Sequence, residues 1–190
     1  YYHLGQYLLA AYYFNNFAQT YSTSSYREEA DFMTAYSNYK LSPTFRLDQT
    51  YTQKAIDGFQ LFINTYPNST RVEECNKLID ELRAKLERKA FEEAKLYFDL
   101  RQYQASIHSF DNLLKDFPDT GNAAEIRYMI IRANYLLAEN SILDKQVERY
   151  RSTLALANEF LERYADSDYF KEVKTIQTST EKKLNQIDNV

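Results

Sequence analysis

The residues able to do chemistry are few and scattered. His3 and His108 are the only histidines and Cys75 is the only cysteine. Acid–base or nucleophilic catalysis needs such groups to converge with a base and an orienting partner. His108 stands between Ile107 and Ser109 on a helix, facing partly outward, and suits a boundary position. Cys75 has no CxxC partner and no evident base, so it reads as a packing thiol. Glu28-Glu29 and Glu92-Glu93 are adjacent carboxylates, but neighbours on a helix point about 100° apart and do not converge. Asn68-Ser69-Thr70 matches a glycosylation sequon, yet it falls in a turn where Asn and Ser are expected as caps. No Gly-rich phosphate loop and no metal-spaced cluster occurs. An enzyme is not expected, nor is any cofactor or metal, and recognition is the chemistry left.

The elements that must carry such recognition are helical. Three Gly and three Pro among 190 residues are too few for the tight turns of an all-β chain. The apolar share of 44% rests heavily on 18 Tyr and 12 Phe, and Tyr can bury its ring while keeping a polar tip wet. The net charge of −4 comes from interspersed charges with no basic stripe, so a nucleic-acid partner is not expected. The apolar run Leu8 to Phe14 is far short of the roughly 20 residues that span a bilayer.

Internal repeats settle the fold class. A small residue is followed four later by a large apolar residue, then another three on, then an aromatic and a turn. The copies are Ala10, Phe14, Phe17 and Tyr21; Ala55, Phe59, Phe62 and Tyr66; Ser106, Phe110, Leu113 and Phe117; and Thr153, Ala157, Phe160 and Tyr164. The closing aromatics lie 45, 51 and 47 residues apart, longer than the roughly 34 of a minimal tetratricopeptide repeat. Intervals of four, three and four put all anchors on one helical face. Ser25-x-x-Glu28, Thr70-x-x-Glu73 and Asn122-x-x-Glu125 each resemble a capping box. Partner helices are expected near 26–39, 70–100, 122–138 and 169–188, the long one carrying Leu78, Leu82, Leu86, Phe91, Ala94 and Tyr97. The expected fold is an all-α, tetratricopeptide-like superhelix of helical hairpins, a single array over 1–190. Its repeats fall near 1–24, 25–69, 70–120 and 121–167, with a C-terminal capping helix at 168–188. The opening residues read as the tail of a helix, so part of an upstream repeat is expected before Tyr1. Without that partner, Leu8, Leu9 and Tyr12 would be exposed.

One segment departs from generic repeat chemistry, Ser42-Pro43-Thr44-Phe45-Arg46-Leu47-Asp48-Gln49-Thr50-Tyr51-Thr52-x-x-Ala55. As a plain connector, Pro43 ends one helix and Asp48 caps the next. Together with Phe59, Phe62-Ile63 and Tyr66-Pro67-Asn68-Ser69, it resembles the BamD family, the lipoprotein subunit of the β-barrel assembly machinery. Leu82-Arg83-x-x-Leu86-x-x-Lys89-x-Phe91-Glu92-x-Ala94-x-x-Tyr97 resembles that family's long central helix. Tyr103-x-Ala105-Ser106-Ile107 and Phe117-Pro118-Asp119-Thr120 resemble its next repeat, so the likeness covers about Gly5 to Tyr164. Departures are Ala123-Ala124-Glu125 for the usual Glu-Glu-Ala, Tyr21-Ser22 for Tyr-Pro, and Tyr164-Ala165.

The resemblance implies a non-enzymatic scaffold on the periplasmic face of a bacterial outer membrane, tethered only by a lipid upstream of this segment; Cys75 is not the lipid-bearing cysteine. Implied partners are the periplasmic domains of a BamA-like barrel insertase and unfolded outer-membrane proteins through their C-terminal segments. Tyr13, Tyr36, Tyr39, Arg46 and Asp48 are the candidate client-groove residues. Arg127, Arg132, Tyr135, Arg149 and Arg151 are the candidate insertase-facing residues. Two other readings stay open: another periplasmic repeat adaptor, for envelope constriction or peptidoglycan synthesis, and a cytoplasmic clamp for a C-terminal carboxylate. The clamp needs Lys, Arg and Asn along successive first helices, where this chain places more Tyr, Met and Glu.

Overall fold

The computed structural model describes residues 1–188. Among them a 3-10 turn at Tyr2–Leu4 precedes eight α-helices, and there is no strand. The helices are α1 (Tyr7–Thr20), α2 (Arg27–Leu41), α3 (Thr50–Thr65), α4 (Val72–Asp99), α5 (Tyr103–Asp116), α6 (Ala123–Glu139), α7 (Leu143–Arg163) and α8 (Phe170–Asp188). The architecture is the all-α, tetratricopeptide-like series of helical hairpins expected from the repeats. Packing divides the chain into two compact units, Tyr1–Lys89 and Ala90–Val190, with the division inside α4.

In the first unit α1 packs on α2 and α2 on α3. Phe32 and Ala35 of α2, Ala55, Phe59 and Phe62 of α3, and Cys75, Ile79 and Leu82 of α4 form its core. In the second unit α5 packs on α6, α6 on α7, and α8 on both α6 and α7. One core there joins Ala94 and Phe98 of α4 to Phe110, Leu113, Ile126, Met129, Ile130 and Ala133. Ile131, Ala157, Phe160 and Val173 make a second cluster, and Ala138, Tyr150 and Leu184 a third.

The repeat anchors divide by copy. Ala55, Phe59 and Phe62, then Ser106, Phe110 and Leu113, then Thr153, Ala157 and Phe160 are all buried. In the first copy only Ala10 is buried, Phe14 and Phe17 are half-buried, and Tyr21 is exposed. Leu8, Leu9 and Tyr12 are 58%, 42% and 60% exposed, so α1 carries an uncovered apolar face. On α4 Tyr97, the last of the series expected along it, is exposed, and Phe98 beside it is buried. A helix of that length drifts against a strict repeat, and the register set at Leu82 does not hold to its end.

The turns use a different device from the expected capping boxes. Neither Tyr26 before α2 nor Asn122 before α6 makes a side-chain cap bond. Instead a hydroxyl two residues ahead accepts a backbone N–H: Ser24 from Tyr26 (3.2 Å), Ser69 from Arg71 (3.2 Å), Thr120 from Asn122 (3.0 Å) and Ser167 from Tyr169 (3.2 Å). These are hydroxyl-closed turns, which satisfy helix-entry donors from outside the helix. Each follows an aromatic whose own N–H still reaches back one helical turn, as Tyr66 does to Phe62 (2.8 Å). The turn after α3 is also tied to α2. Tyr66 donates to Asp31 (2.7 Å), Ser69 to Glu28 (2.5 Å) and Arg71 to Glu29 (2.7 Å). The adjacent carboxylates Glu28 and Glu29 therefore hold a turn in place.

Close approach of α2 and α3 needs Gly58. A methyl group built there would lie 2.9 Å from the Ala35 Cβ and 3.3 Å from its Cα. Alanine would gain about 1 kcal/mol of helix propensity and lose about 1–3 kcal/mol to overpacking. Gly58→Ala is therefore expected to lower stability in urea unfolding. Gly121→Ala, whose Cβ would meet nothing within 4 Å, should stay within about 0.5 kcal/mol of the parent.

Candidate functional site

The candidate client-groove residues fall into three places in the first unit. Tyr13 lies on α1, where its ring stacks on Tyr1 (5.0 Å between centroids, 9° between planes) and meets Tyr12 edge-on at 5.3 Å. Beside it is a cavity of about 410 Å³, lined by Tyr1, Tyr2, Ala10, Tyr13, Phe14, Phe17, Tyr26, Glu29 and Ala30. Six of these are aromatic, and α1 supplies one wall through Ala10, Tyr13, Phe14 and Phe17. Tyr36 and Tyr39 form a second group, on α2. Spacings of four and three put Phe32, Tyr36 and Tyr39 in one stripe, with Tyr36 stacked on Phe32 (5.5 Å, 17°) and on Tyr39 (5.5 Å, 24°). Lys40 Nζ lies 5.1 Å from the Tyr36 centroid and 5.6 Å from that of Tyr39. The Tyr39 hydroxyl donates toward both Glu81 oxygens at 3.1 Å. Burial, then Glu81, raises the Tyr39 pKa, so this phenol stays a donor.

Arg46 and Asp48 are in a third place, the connector between α2 and α3. A chain of hydrogen bonds shapes it. Lys85 Nζ donates to Ser42 Oγ (2.7 Å), Ser42 shares a hydrogen with Thr52 (2.6 Å), and Thr52 donates to Gln49 Oε1 (2.7 Å). Gln49 Nε2 then reaches the carbonyls of Thr44 and Leu47, both at 2.9 Å. Asp48 is not the N-cap of α3, which is Gln49. Its Oδ1 accepts the Thr50 N–H (3.0 Å), an Asx-type turn. Hydrogen bonds from Thr50, and the charge of Lys89, hold the Asp48 carboxyl below its ordinary pKa. Arg46 is exposed, with its guanidinium 5.5 Å from the Phe45 ring. Arg88 of α4 lies over the same ring at 4.4 Å. Sequence reading passed over Phe45 and Arg88; the signal available was Lys85, Arg88 and Lys89 at i, i+3 and i+4 along α4.

The candidate insertase-facing residues lie in the second unit and differ in availability. Arg127 is half-buried, 3.8 Å from Glu159, and its buried Nε has no hydrogen-bond partner. It lines a cavity of about 40 Å³ with Asp111 and Glu159, and burial raises the Asp111 pKa. Arg149 is half-buried and donates to Ser141, which closes the link between α6 and α7. Arg132 is exposed with its guanidinium 5.0 Å from the Phe98 ring, and Arg151 is exposed on α7. Tyr135 is half-buried and donates to Glu139 (3.1 Å), which Lys183 approaches at 3.6 Å. Burial and Glu139 together push the Tyr135 pKa up to about 12.

The other reactive groups stay apart. His3 and His108 are exposed on different units, and burial pushes the Cys75 thiol up to about 11. Among the described residues no three His, Cys, Asp or Glu side chains gather to hold a metal, and no helix is long and apolar enough to cross a membrane.

Because the Tyr135 pKa is raised in the folded state, its hydrogen bond contributes fully below the ordinary phenol value of 10.0 and is lost as pH rises through about 12. Tyr135→Phe should cost about 1 kcal/mol at neutral pH. In denaturant titrations across pH, that gap should close at the alkaline end.

No curated protein matches the chain. The family model described as YfiO, outer membrane lipoprotein, matches residues 1–149. That span takes in α1 to α6 and the start of α7, with the aromatic cleft and the connector. By that match the chain belongs to the YfiO family of outer membrane lipoproteins.

Proposed function

We propose that this protein is a non-enzymatic scaffold of outer-membrane β-barrel assembly, of the BamD type, lipid-anchored at the periplasmic face. The family match over residues 1–149 is the observation that carries the reading. In this reading the first unit takes the C-terminal segments of unfolded barrel proteins. Such segments alternate apolar and aromatic side chains. The Tyr-lined cavity beside Tyr13 offers ring faces with hydroxyl edges, and the Tyr36–Tyr39 stripe with Lys40 extends the aromatic surface of α2.

The second unit contacts the periplasmic domains of a BamA-like insertase. Arg132 and Arg151 are the stronger contact candidates there, because Arg127 and Arg149 are already engaged within the fold. Tyr135 is engaged with Glu139 and serves as support.

Two titrations test the reading. Insertase periplasmic domains should bind saturably, and an Arg132→Glu, Arg151→Glu double variant should weaken binding at least tenfold without altering the melting temperature. A synthetic barrel C-terminal peptide should bind the parent more tightly than Tyr13→Ala. A folded protein that binds neither ligand would remove the assembly reading and favour a different periplasmic adaptor role.

A further inference from the structure

Several arginines of this chain meet a carboxylate: Arg27 faces Asp31, Arg71 faces Glu29 and Glu74, and Arg127 faces Glu159. Arg46 and Arg88 do not. Both are exposed, both lie over the Phe45 ring, and among the described residues neither has a carboxylate partner. Their distances to one ring, 5.5 and 4.4 Å, place the two guanidinium carbons at most about 10 Å apart. Two cations are thus held near one another, at about one Debye length in physiological salt, by a ring that gains from each separately.

With the guanidinium carbons 5.5 and 4.4 Å from the ring centroid, each cation is held beside the ring, and its N–H fork can hold a carboxylate through two parallel bonds. The platform beneath is fixed. Phe45 sits in the connector that Gln49 ties internally, and Lys85 and Lys89 bind that connector to α4 through Ser42 Oγ (2.7 Å) and the Leu47 carbonyl (3.3 Å). Leu47, 59% exposed, adds an apolar surface on the same connector.

We propose that the Arg46–Phe45–Arg88 platform is a docking site for an acidic, extended segment of a partner protein, with neighbouring Asp or Glu carboxylates on the two guanidiniums and an apolar side chain on Leu47. Charge favours a protein segment over an anionic lipid surface. Membrane attraction of this kind needs a cluster of roughly four to eight cations, whereas here Lys85 and Lys89 are turned onto the connector. The chain as a whole carries −4, so a broad anionic surface would be repelled where a short segment would not. The platform takes Arg46 from the candidate client-groove residues, but the client reading proposed above rests on aromatic side chains in the cleft beside Tyr13, a different place in the first unit.

The test uses the whole chain and a labelled, end-capped peptide of alternating Glu and Leu. A Gln-for-Glu peptide and phosphatidylglycerol vesicles serve as the other two probes. The Glu peptide should bind, more weakly as salt rises, and the Gln peptide should bind at least tenfold more weakly. Arg46→Ala with Arg88→Ala should lose at least tenfold in affinity at an unchanged melting temperature. The pair Arg46→Lys and Arg88→Lys should lose severalfold, because lysine keeps the charge without the planar fork. Should the alanine pair not fold, Arg46→Glu with Arg88→Glu should transfer preference to a Lys-for-Glu peptide. Equal binding of the Glu and Gln peptides, unchanged affinity in the alanine pair, no binding, or capture of vesicles without the Glu peptide would each overturn the proposal. A chain that binds this peptide but no barrel-protein peptide would keep the platform and remove the client reading.

Discussion

Two helices can bring their backbones together only where a side chain is small enough to leave room, and that constraint underlies each hairpin of this chain. At the junction of α2 and α3 the gap is so narrow that Gly58 faces Ala35 with no space for a methyl group between them. In the second unit Ser106 of α5 is buried and donates to the Ala94 carbonyl of α4 (2.9 Å), so the small side chain that permits the approach also binds the neighbouring backbone. Around these contacts Phe59, Phe62, Phe110 and Phe160 fill the volume that the small residues leave beside them. Small and large positions therefore act as one device: the first sets the distance and the second makes that distance favourable.

Once that distance is set, the surfaces follow. The close packing of α2 on α3 fixes both ends of the connector between them, and a connector with fixed ends can be shaped by a few polar side chains. Gln49, Thr52 and Ser42 do this with a single line of hydrogen bonds, the kind of chain in which each bond polarises the next. The same packing turns Tyr36 and Tyr39 to a side of α2 where they stack on one another while Tyr39 still reaches Glu81. Polar and aromatic groups stand in defined places because the apolar residues beneath them cannot shift.

How far this could be read from the chain depended on whether the signal was periodic. The four-three-four spacing at Ala55, Phe59, Phe62 and Tyr66 reports a helix face directly, and in three of the four copies its first three residues are buried and its closing aromatic half-buried. The turns were less legible. Ser25-x-x-Glu28 has the letters of a capping box, but Ser24 one residue earlier makes the bond, because hydroxyl turns and capping boxes draw on the same residue types. The candidate site was legible in residue type and hardly at all in grouping. Nothing in the order of residues says that Arg88 meets the ring of Phe45, since that contact depends on how the connector folds back on α4, whereas the contact of Tyr36 with Phe32 follows from helix spacing. Arg127 and Arg132 look alike from composition, and only packing distinguishes an arginine engaged within the fold from one open to a partner.

Cys75 has a consequence of a different kind. Its thiol is fully enclosed by the apolar side chains of the first unit, and burial with the neighbouring Glu74 holds its pKa near 11. A thiol reacts as its thiolate, so in the closed fold this sulfur is inert to oxidants and alkylating reagents alike. It becomes ordinary only when α4 parts from α2 and α3. The chain thus carries its own clock: the rate at which Cys75 is trapped measures how often that core opens, and a ligand that clamps the first unit would slow it without touching the sulfur.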